Sequence, residues 1–160
     1  MAKLGKLHLL KNIFNQIQIA PEVKTETVDR GKAKGCPDAI AIEQAMAEEW
    51  LIIDVLTQNS LKKAEALAEI VGIDIGEAQT IILAKQKGEN LVLMDQANAR
   101  EAARQLGLNP RGMIYVILTA IKRKLITKEE AKQTLEKLIE VNFYVSAKIY
   151  SETLKAIEKI

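Results

Sequence analysis

The apolar and polar positions along this chain predict helices that alternate with short buried strands. The pattern is clearest between Gly76 and Arg100, where apolar residues first recur at a helical spacing of three and four. Gly88 then provides a residue suited to the left-handed conformation that ends many helices. The apolar run at residues 91–94 is too short for a helix and fits a parallel strand covered on both faces. Asp95 comes after this strand, at the sheet edge where α/β proteins bind their ligands.

The rest of the chain repeats this alternation. Further helices are predicted at residues 4–10, 21–32, 38–50, 59–71, 96–107 and 127–140, with another that starts after Ser146. Further strands are predicted at residues 14–20, 51–56 and 141–145, and residues 109–112 are predicted to form a loop. Residues 113–124 fit a strand or a helix by periodicity, and their length favours the helix. The expected class is therefore α/β with a mainly parallel sheet.

Residues that stabilise helix ends support several of these boundaries. Pro21 is of a type favoured at the first helical position, and Asp38 is a preferred N-cap. The pair Asn59–Ser60 is expected to cap the helix that begins there. Thr127 and Glu130 have the spacing of a capping box.

Length and composition narrow the classes of protein to consider. The 160 residues suffice for one domain with a sizeable core, and residues 1–160 are interpreted as a single domain. The 23 basic and 21 acidic residues give a net charge of +2, which would indicate nucleic acid only if the basic residues were clustered. Cys36 and His8 are the only cysteine and histidine, which excludes an internal disulfide and a cysteine-based zinc cluster. A lone cysteine suits the cytoplasm, and no apolar run reaches the roughly 20 residues of a membrane span.

Three acidic residues at predicted strand or helix ends are candidates for chemistry. Each has an ordinary explanation: Glu26 is a solvated helix residue, Glu77 favours a helix N-terminus electrostatically, and Asp95 is an N-cap. Carboxylates gathered at one rim of a parallel sheet would instead bind Mg²⁺ or Mn²⁺, which can activate water against a phosphodiester. We expect the side chains of these three residues to converge on one cation.

Four segments of the chain resemble PIN-domain proteins, in particular a prokaryotic branch of uncharacterised members. The segments are PEVKTE (21–26), GEAQTIILA (76–84), LVLMDQANAR (91–100) and AARQLGL (102–108). They keep the order and spacing of that family over nearly the whole chain. The resemblance implies a three-layer α/β/α sandwich with a mainly parallel sheet.

The same resemblance implies a metal-dependent ribonuclease that acts on single-stranded RNA, often as the toxin of a toxin-antitoxin pair with an antitoxin protein as its partner. Carried over by position, Glu26, Glu77 and Asp95 are three of the four acids of the family's catalytic metal site. The cofactor implied is Mg²⁺ or Mn²⁺. Arg100 matches the arginine of the family's strand-end motif.

Basic residues near these acids are candidates for holding the RNA backbone. Arg100, Arg104 and Arg111 could flank the carboxylates as substrate-binding residues, although Arg104 could equally pair with Glu101. The run of basic residues 122–124 could contact phosphates, or it could complement the dipole at the end of an apolar helix.

The sequence also departs from the family pattern. PIN domains open with a strand that ends in aspartate, whereas residues 1–7 resemble the family segment just after that strand. Gln96 replaces the second aspartate of the motif, and Gly112–Met113 replaces a glycine-threonine step. Each change removes an oxygen from the acidic site. The alternative function is therefore a catalytically inactive module of the same fold that binds RNA or a protein, and a third interpretation is an unrelated α/β protein with scattered caps.

The departures and the apolar helix lead to two structural expectations. The reading frame begins upstream of Met1 with a strand that ends in aspartate, or the sheet closes without that strand; in both cases we expect the strands near Ile17 and Val92 to be paired. We also expect a homodimer, because the apolar surface of residues 113–124 exceeds what one small core requires.

Overall fold

The computed structural model describes residues 1–141 and 143–160. Its α-helices are α1 (His8–Phe14), α2 (Pro21–Lys24), α3 (Arg30–Ala33), α4 (Pro37–Ala47), α5 (Gln58–Val71), α6 (Ile75–Lys87), α7 (Ala97–Gln105), α8 (Met113–Lys122), α9 (Lys128–Glu140) and α10 (Ala147–Lys159). Its strands are β1 (Ile17–Ile19), β2 (Leu51–Ile53), β3 (Leu91–Leu93) and β4 (Asn109–Arg111). A 3-10 helix covers Ala2–Leu4, and a π-helical turn, Thr25–Asp29, joins α2 to α3.

The strands pair in parallel, which confirms the predicted α/β class and strand direction. β1 pairs with β2, with Ile17 opposite Leu51, and β3 pairs with β4, with Val92 opposite Pro110. Among the described residues these strands form two separate two-stranded sheets. The expectation that the strands near Ile17 and Val92 would be paired is therefore confirmed.

The prediction of a loop at residues 109–112 was wrong, because Asn109–Arg111 forms β4. Pro110 lacks an N–H group, and proline is normally confined to strand positions that do not need one. Its neighbours make the sheet contacts: the Asn109 N–H donates to the Asn90 carbonyl at 2.6 Å, and the Met94 N–H donates to the Arg111 carbonyl at 2.8 Å. Tertiary pairing has thus turned a loop-like sequence into a strand.

The chain divides into two compact units, a terminal unit of residues 1–15 and 113–160 and a central unit of residues 16–112. The central unit holds both sheets and helices α2 to α7, and its core includes Ile81, Val92 and Ala103. The terminal unit is helical and contains α1, α8, α9 and α10, with fully buried side chains at Leu9, Ile117, Leu135, Leu138 and Ile157. The single-domain interpretation of residues 1–160 stays a prediction.

Several predicted helix ends are confirmed. Thr127 and Glu130 form a capping box, in which the Glu130 N–H donates to Thr127 Oγ1 at 3.2 Å and the Thr127 N–H donates to Glu130 Oε2 at 2.8 Å. Ser146 accepts a hydrogen bond from the Ile149 N–H at 3.3 Å. Gly88 closes α6 in the left-handed conformation.

Other predicted boundaries were wrong by a few residues. Thr57 rather than Asn59–Ser60 caps α5, since Thr57 Oγ1 accepts from the Ser60 N–H at 3.2 Å. Asp38 lies in the first turn of α4, whose N-cap is Cys36. The strand predicted at residues 141–145 is absent from Val141 and from residues 143–145, while Asn142 lies outside the described residues.

The segment 113–124 contains the helix that its length favoured, α8, which ends at Lys122. Its buried residues are Val116, Ile117, Ala120 and Ile121, and none of its large hydrophobic side chains is exposed. Within the described residues, no helix combines the length and the apolar character needed to cross a membrane.

Candidate functional site

Glu26 lies in the π-helical turn of the central unit, and its side chain is packed against the first turn of α6. A β-carbon placed on Gly76 would lie 3.0 Å from each oxygen of the Glu26 carboxylate. Gly76 is buried and Glu26 is half-buried, so the glycine leaves the space that the carboxylate occupies. Single π-helical turns inside helices are frequent at functional sites.

Glu77 comes directly after Gly76 and also lies at the start of α6. The Asp74 N–H donates to Glu77 Oε2 at 3.4 Å, as part of a capping box around the N-cap Asp74. The ordinary explanation of Glu77, a residue that favours a helix N-terminus, is therefore supported. The same position also brings its carboxylate within electrostatic range of Glu26.

The electrostatics of this cluster disfavour its negative charge. Burial is the largest cause that raises the pKa of Glu26, and the neighbouring Glu22 and Asp74 raise it further against the opposing effect of Arg30. Burial also raises the pKa of Glu77, with Asp74 and Glu26 adding to it while the Asp74 N–H hydrogen bond opposes. In the described part of the chain, the Glu26 carboxylate has no hydrogen-bond donor or ion-pair partner. A cation would relieve this unfavourable arrangement.

Asp95 is exposed and lies after β3, where its carboxylate contacts another glycine. A β-carbon on Gly112 would lie 2.5 Å from Asp95 Oδ1 and 3.0 Å from Arg100 Nη1. Arg100 Nη1 also donates to the Met94 carbonyl at 3.1 Å. The N-cap of α7 is Gln96, so the ordinary explanation of Asp95 as an N-cap was wrong. The structure places Asp95 and Arg100 together at Gly112.

The other two candidate arginines have different surroundings. Arg104 pairs with Glu101 at 3.0 Å on the exposed face of α7, as the ordinary interpretation anticipated. Arg111 ends β4 and is half-buried, and its backbone carbonyl accepts from the Met94 N–H. The Arg100 guanidinium and Arg111 thus lie at the ends of the paired strands β3 and β4.

The donor chemistry of the acids suits a hard divalent cation, because every candidate ligand is a carboxylate oxygen. The half-buried Glu26 carboxylate, among three other acids, is a donor that such an ion would stabilise. Across residues 1–141 and 143–160, however, no three His, Cys, Asp or Glu side chains lie close enough together to hold one ion. Within the described residues, Glu26, Glu77 and Asp95 are therefore not brought together as we expected. That these residues hold a metal stays a prediction.

Four residues of this region were not singled out from the sequence. Glu22 precedes Glu26 by four positions, a spacing that puts both on one helix face, and Asp74 precedes Glu77 by the three positions of a capping box. Both spacings can be read from the sequence. The contacts of Gly76 with Glu26 and of Gly112 with Asp95 join distant segments, and no local pattern predicts them.

Comparison with known proteins adds a family assignment. The DUF3368 family model, described as a PIN domain, matches residues 1–159. No curated protein and no solved structure matches the chain. The match covers nearly the whole chain and confirms the family suggested by the four sequence segments.

Proposed function

Since the chain belongs to the PIN-domain family, we propose that it is a divalent-metal-dependent endoribonuclease acting on single-stranded RNA. A nuclease-type function is general for PIN domains; the RNA substrate, the metal and the individual site residues are the proposal. The observation that carries it is the Glu26 carboxylate, half-buried against Gly76 beside Glu22, Asp74 and Glu77. Burial and the neighbouring acids disfavour the charge of this carboxylate, and a bound cation would offset that effect.

In this proposal Glu26, Glu77 and Asp95 would hold Mg²⁺ or Mn²⁺ and form an acidic site that lacks one of the family's acids. The ion, when bound, would activate water and neutralise charge on the scissile phosphate. Arg100 fixes the end of β3 through the Met94 carbonyl and lies beside Asp95 at Gly112. Arg111 and Arg104 would contact the RNA backbone, and Arg104 must leave Glu101 to do so.

A specific observation favours the second candidate, an inactive module of the same fold that binds RNA or a protein. In the described residues no three acids form a group able to hold an ion, and Gln96 stands where the family motif has an acid. The module and the enzyme differ in one measurable property, which is cleavage.

The proposal extends to a cytoplasmic toxin of a toxin-antitoxin pair and to a homodimer. Support for a dimer comes from large exposed hydrophobic side chains of the terminal unit, such as Tyr144 and Ile149, rather than from α8. A monomeric mass in light scattering at micromolar concentration would contradict the dimer. Binding of an antitoxin would be tested by co-purification of the protein encoded beside this chain.

The experiment that tests the proposed activity is cleavage of a labelled single-stranded RNA by the purified chain, in Mn²⁺ and in EDTA. We expect cleavage in Mn²⁺ alone and a loss of about 100-fold in Asp95→Asn and Glu26→Gln. Glu65→Gln is the matched control, because Glu65 is an exposed acid of α5 outside the site. Cleavage that persists unchanged in Asp95→Asn would exclude the proposed site, and RNA binding without cleavage would favour the inactive module.

A further inference from the structure

The two compact units carry opposite net charge. The terminal unit has 12 Lys and Arg residues and 6 Glu residues, a net charge of +6, whereas the central unit has 11 basic and 15 acidic residues, a net charge of −4. RNA is a polyanion, and its affinity for proteins comes largely from contacts between phosphates and lysine or arginine. By net charge, the terminal unit therefore attracts RNA more strongly than the unit that holds the candidate acids.

A basic cleft lies in the terminal unit where α8 ends and α9 begins. Its volume is about 430 Å³, and its lining includes Lys122, Lys124 and Lys128 together with the buried Ile121 and Ile126. Lys122 ends α8, Lys124 lies in the connection and Lys128 begins α9. We call this feature the lysine cleft.

The acids near the lysine cleft are engaged with other groups. Glu130, which also lines the cleft, accepts from the Thr127 N–H and hydroxyl, and these hydrogen bonds lower its pKa. Glu129 and Glu158 both pair with Lys132, at 3.4 and 2.6 Å. Their charge is therefore already partly neutralised.

Two of the three cleft lysines, in contrast, keep their charge available. Among the described residues, Lys122 and Lys124 have no hydrogen-bond or ion-pair partner, and Lys128 donates to the Glu158 backbone carbonyl. Arg123, which lies between them in sequence, points elsewhere, since its Nη1 donates to the Ile13 carbonyl at 2.6 Å. The basic run at residues 122–124 thus divides into a structural arginine and two uncompensated lysines.

Lys124 has a backbone conformation that glycine more commonly takes. Its φ is 58°, in the left-handed region, and α8 is closed by the Lys124 N–H to Ile121 and the Leu125 N–H to Ala120. Glycine takes the corresponding left-handed position after α5 and α6, at Gly72 and Gly88. A lysine in this conformation costs about 1 kcal/mol relative to glycine.

We propose that the lysine cleft binds the phosphate backbone of single-stranded RNA through Lys122, Lys124 and Lys128. The identity of the polyanion rests on the proposed function, while the position and chemistry of the cleft do not. RNA held here is retained by charge rather than by base recognition, so binding is insensitive to sequence and sensitive to salt.

The test is fluorescence anisotropy of a labelled single-stranded RNA in EDTA, so that binding is measured without cleavage. The variant is Lys122→Gln with Lys124→Gly, and the matched control is Lys148→Gln with Lys155→Gln, two exposed lysines of α10 in the same unit. We expect the cleft variant to bind about tenfold more weakly at low salt. The slope of log association constant against log salt concentration is negative, and it should become less steep by about 1.4. Since Lys124→Gly relieves the left-handed strain, its thermal stability should not decrease.

An equal loss in the control variant would overturn the inference, because it would show a general effect of net charge. Displacement of RNA by inorganic phosphate, beyond the effect of chloride at equal ionic strength, would also overturn it by making a small phosphate the ligand. Failure of the wild-type chain to bind RNA at all would do the same. Loss of binding in the cleft variant supports the inference whether or not the chain cleaves RNA in Mn²⁺, so this result is separable from the proposed activity.

Discussion

The central and terminal units use their charged residues in different ways. In the central unit, Glu26 and Glu77 are half-buried beside other acids, and burial and repulsion raise their pKa values. In the terminal unit, Glu130 is satisfied by a capping box that lowers its pKa, and Glu158 pairs with Lys132. Glu130 and Glu158 are thus stabilised in their charged form, whereas folding disfavours the charged form of Glu26 and Glu77, although Glu77 also belongs to the capping box of α6. A cost of this kind is expected at a functional site and not in a structural support.

Gly112→Ala, in the central unit, should have the largest expected effect, and that effect should fall on activity rather than on stability. The new β-carbon would lie 2.5 Å from Asp95 Oδ1 and would force this carboxylate to move. Because the obstacle is the end of an exposed side chain, we expect stability to change by less than about 1.5 kcal/mol, and Mn²⁺-dependent cleavage to fall about 100-fold.

Gly31→Ala is the matched control for that variant, since its β-carbon would meet the Ala39 side chain at 3.0 Å and no carboxylate. Denaturant unfolding and RNA cleavage would be measured on both. Full activity in Gly112→Ala would show that the position of Asp95 does not matter.

Gly76→Ala should have the next largest effect, on the other carboxylate. Its β-carbon would lie 3.0 Å from both Glu26 oxygens and would displace them from the start of α6. We expect Mn²⁺ affinity to fall about tenfold, or about 1.4 kcal/mol. Calorimetry of the folded variant provides the measurement, and unchanged affinity would remove Glu26 from the proposed set.

Thr127→Ala should affect the terminal unit alone. It removes the side-chain acceptor of the Glu130 N–H at the start of α9 and should cost about 1 kcal/mol, lowering Tm by roughly 2–4 °C. Thr57→Ala removes the equivalent acceptor at the start of α5 in the central unit and should cost about the same. Circular dichroism melting would compare them. RNA cleavage by Thr127→Ala should stay at the wild-type rate below the melting range.

The smallest expected effect concerns pH and the metal-free protein. A carboxyl group with a raised pKa binds its proton more tightly in the folded state than in the unfolded state. The contribution of Glu26 and Glu77 to stability is therefore greatest below their ordinary value of 4.5 and is lost as pH rises through the folded pKa.

In the Glu26→Gln variant, residue 26 cannot ionise, so its share of the loss of stability with rising pH is removed. In EDTA it should raise Tm at neutral pH and leave Tm unchanged at pH values below 4.5. Glu65→Gln, at an exposed position of α5, should leave Tm unchanged at both pH values. A lower Tm for Glu26→Gln at neutral pH would mean that the Glu26 carboxylate stabilises the fold.

Much of the fold could be predicted from the sequence because its signals are local. The apolar run at residues 91–94 and the capping box at Thr127 predicted β3 and the start of α9 correctly. β4 could not be predicted in this way, because Asn109 and Pro110 are typical of a loop and only pairing with β3 makes them a strand. Residues 57–60 (TQNS) include several residue types that are favoured at an N-cap, and local sequence rules did not select Thr57 among them.

The candidate site was predictable only in part, for a related reason. The family resemblance identified the acids, and the match to the PIN-domain family over residues 1–159 confirms that resemblance. The space that Gly76 leaves for Glu26 depends on contact between the π-helical turn and α6, which are about fifty residues apart in sequence. The uncompensated charge of Lys124 likewise emerges only once the partners of Glu130 and Arg123 are known.

The central claim is that the acids of the central unit hold a divalent cation, and titration of Mn²⁺ by isothermal calorimetry at neutral pH tests it most directly. We predict saturable binding by the wild-type chain, weaker binding by Glu26→Gln and Asp95→Asn, and unchanged binding by Glu65→Gln. Repeating the titration nearer the raised pKa values should show proton release, because the ion binds ionised carboxylates. No uptake of Mn²⁺ at millimolar concentration, or equal uptake by wild type and Glu26→Gln, would contradict the claim.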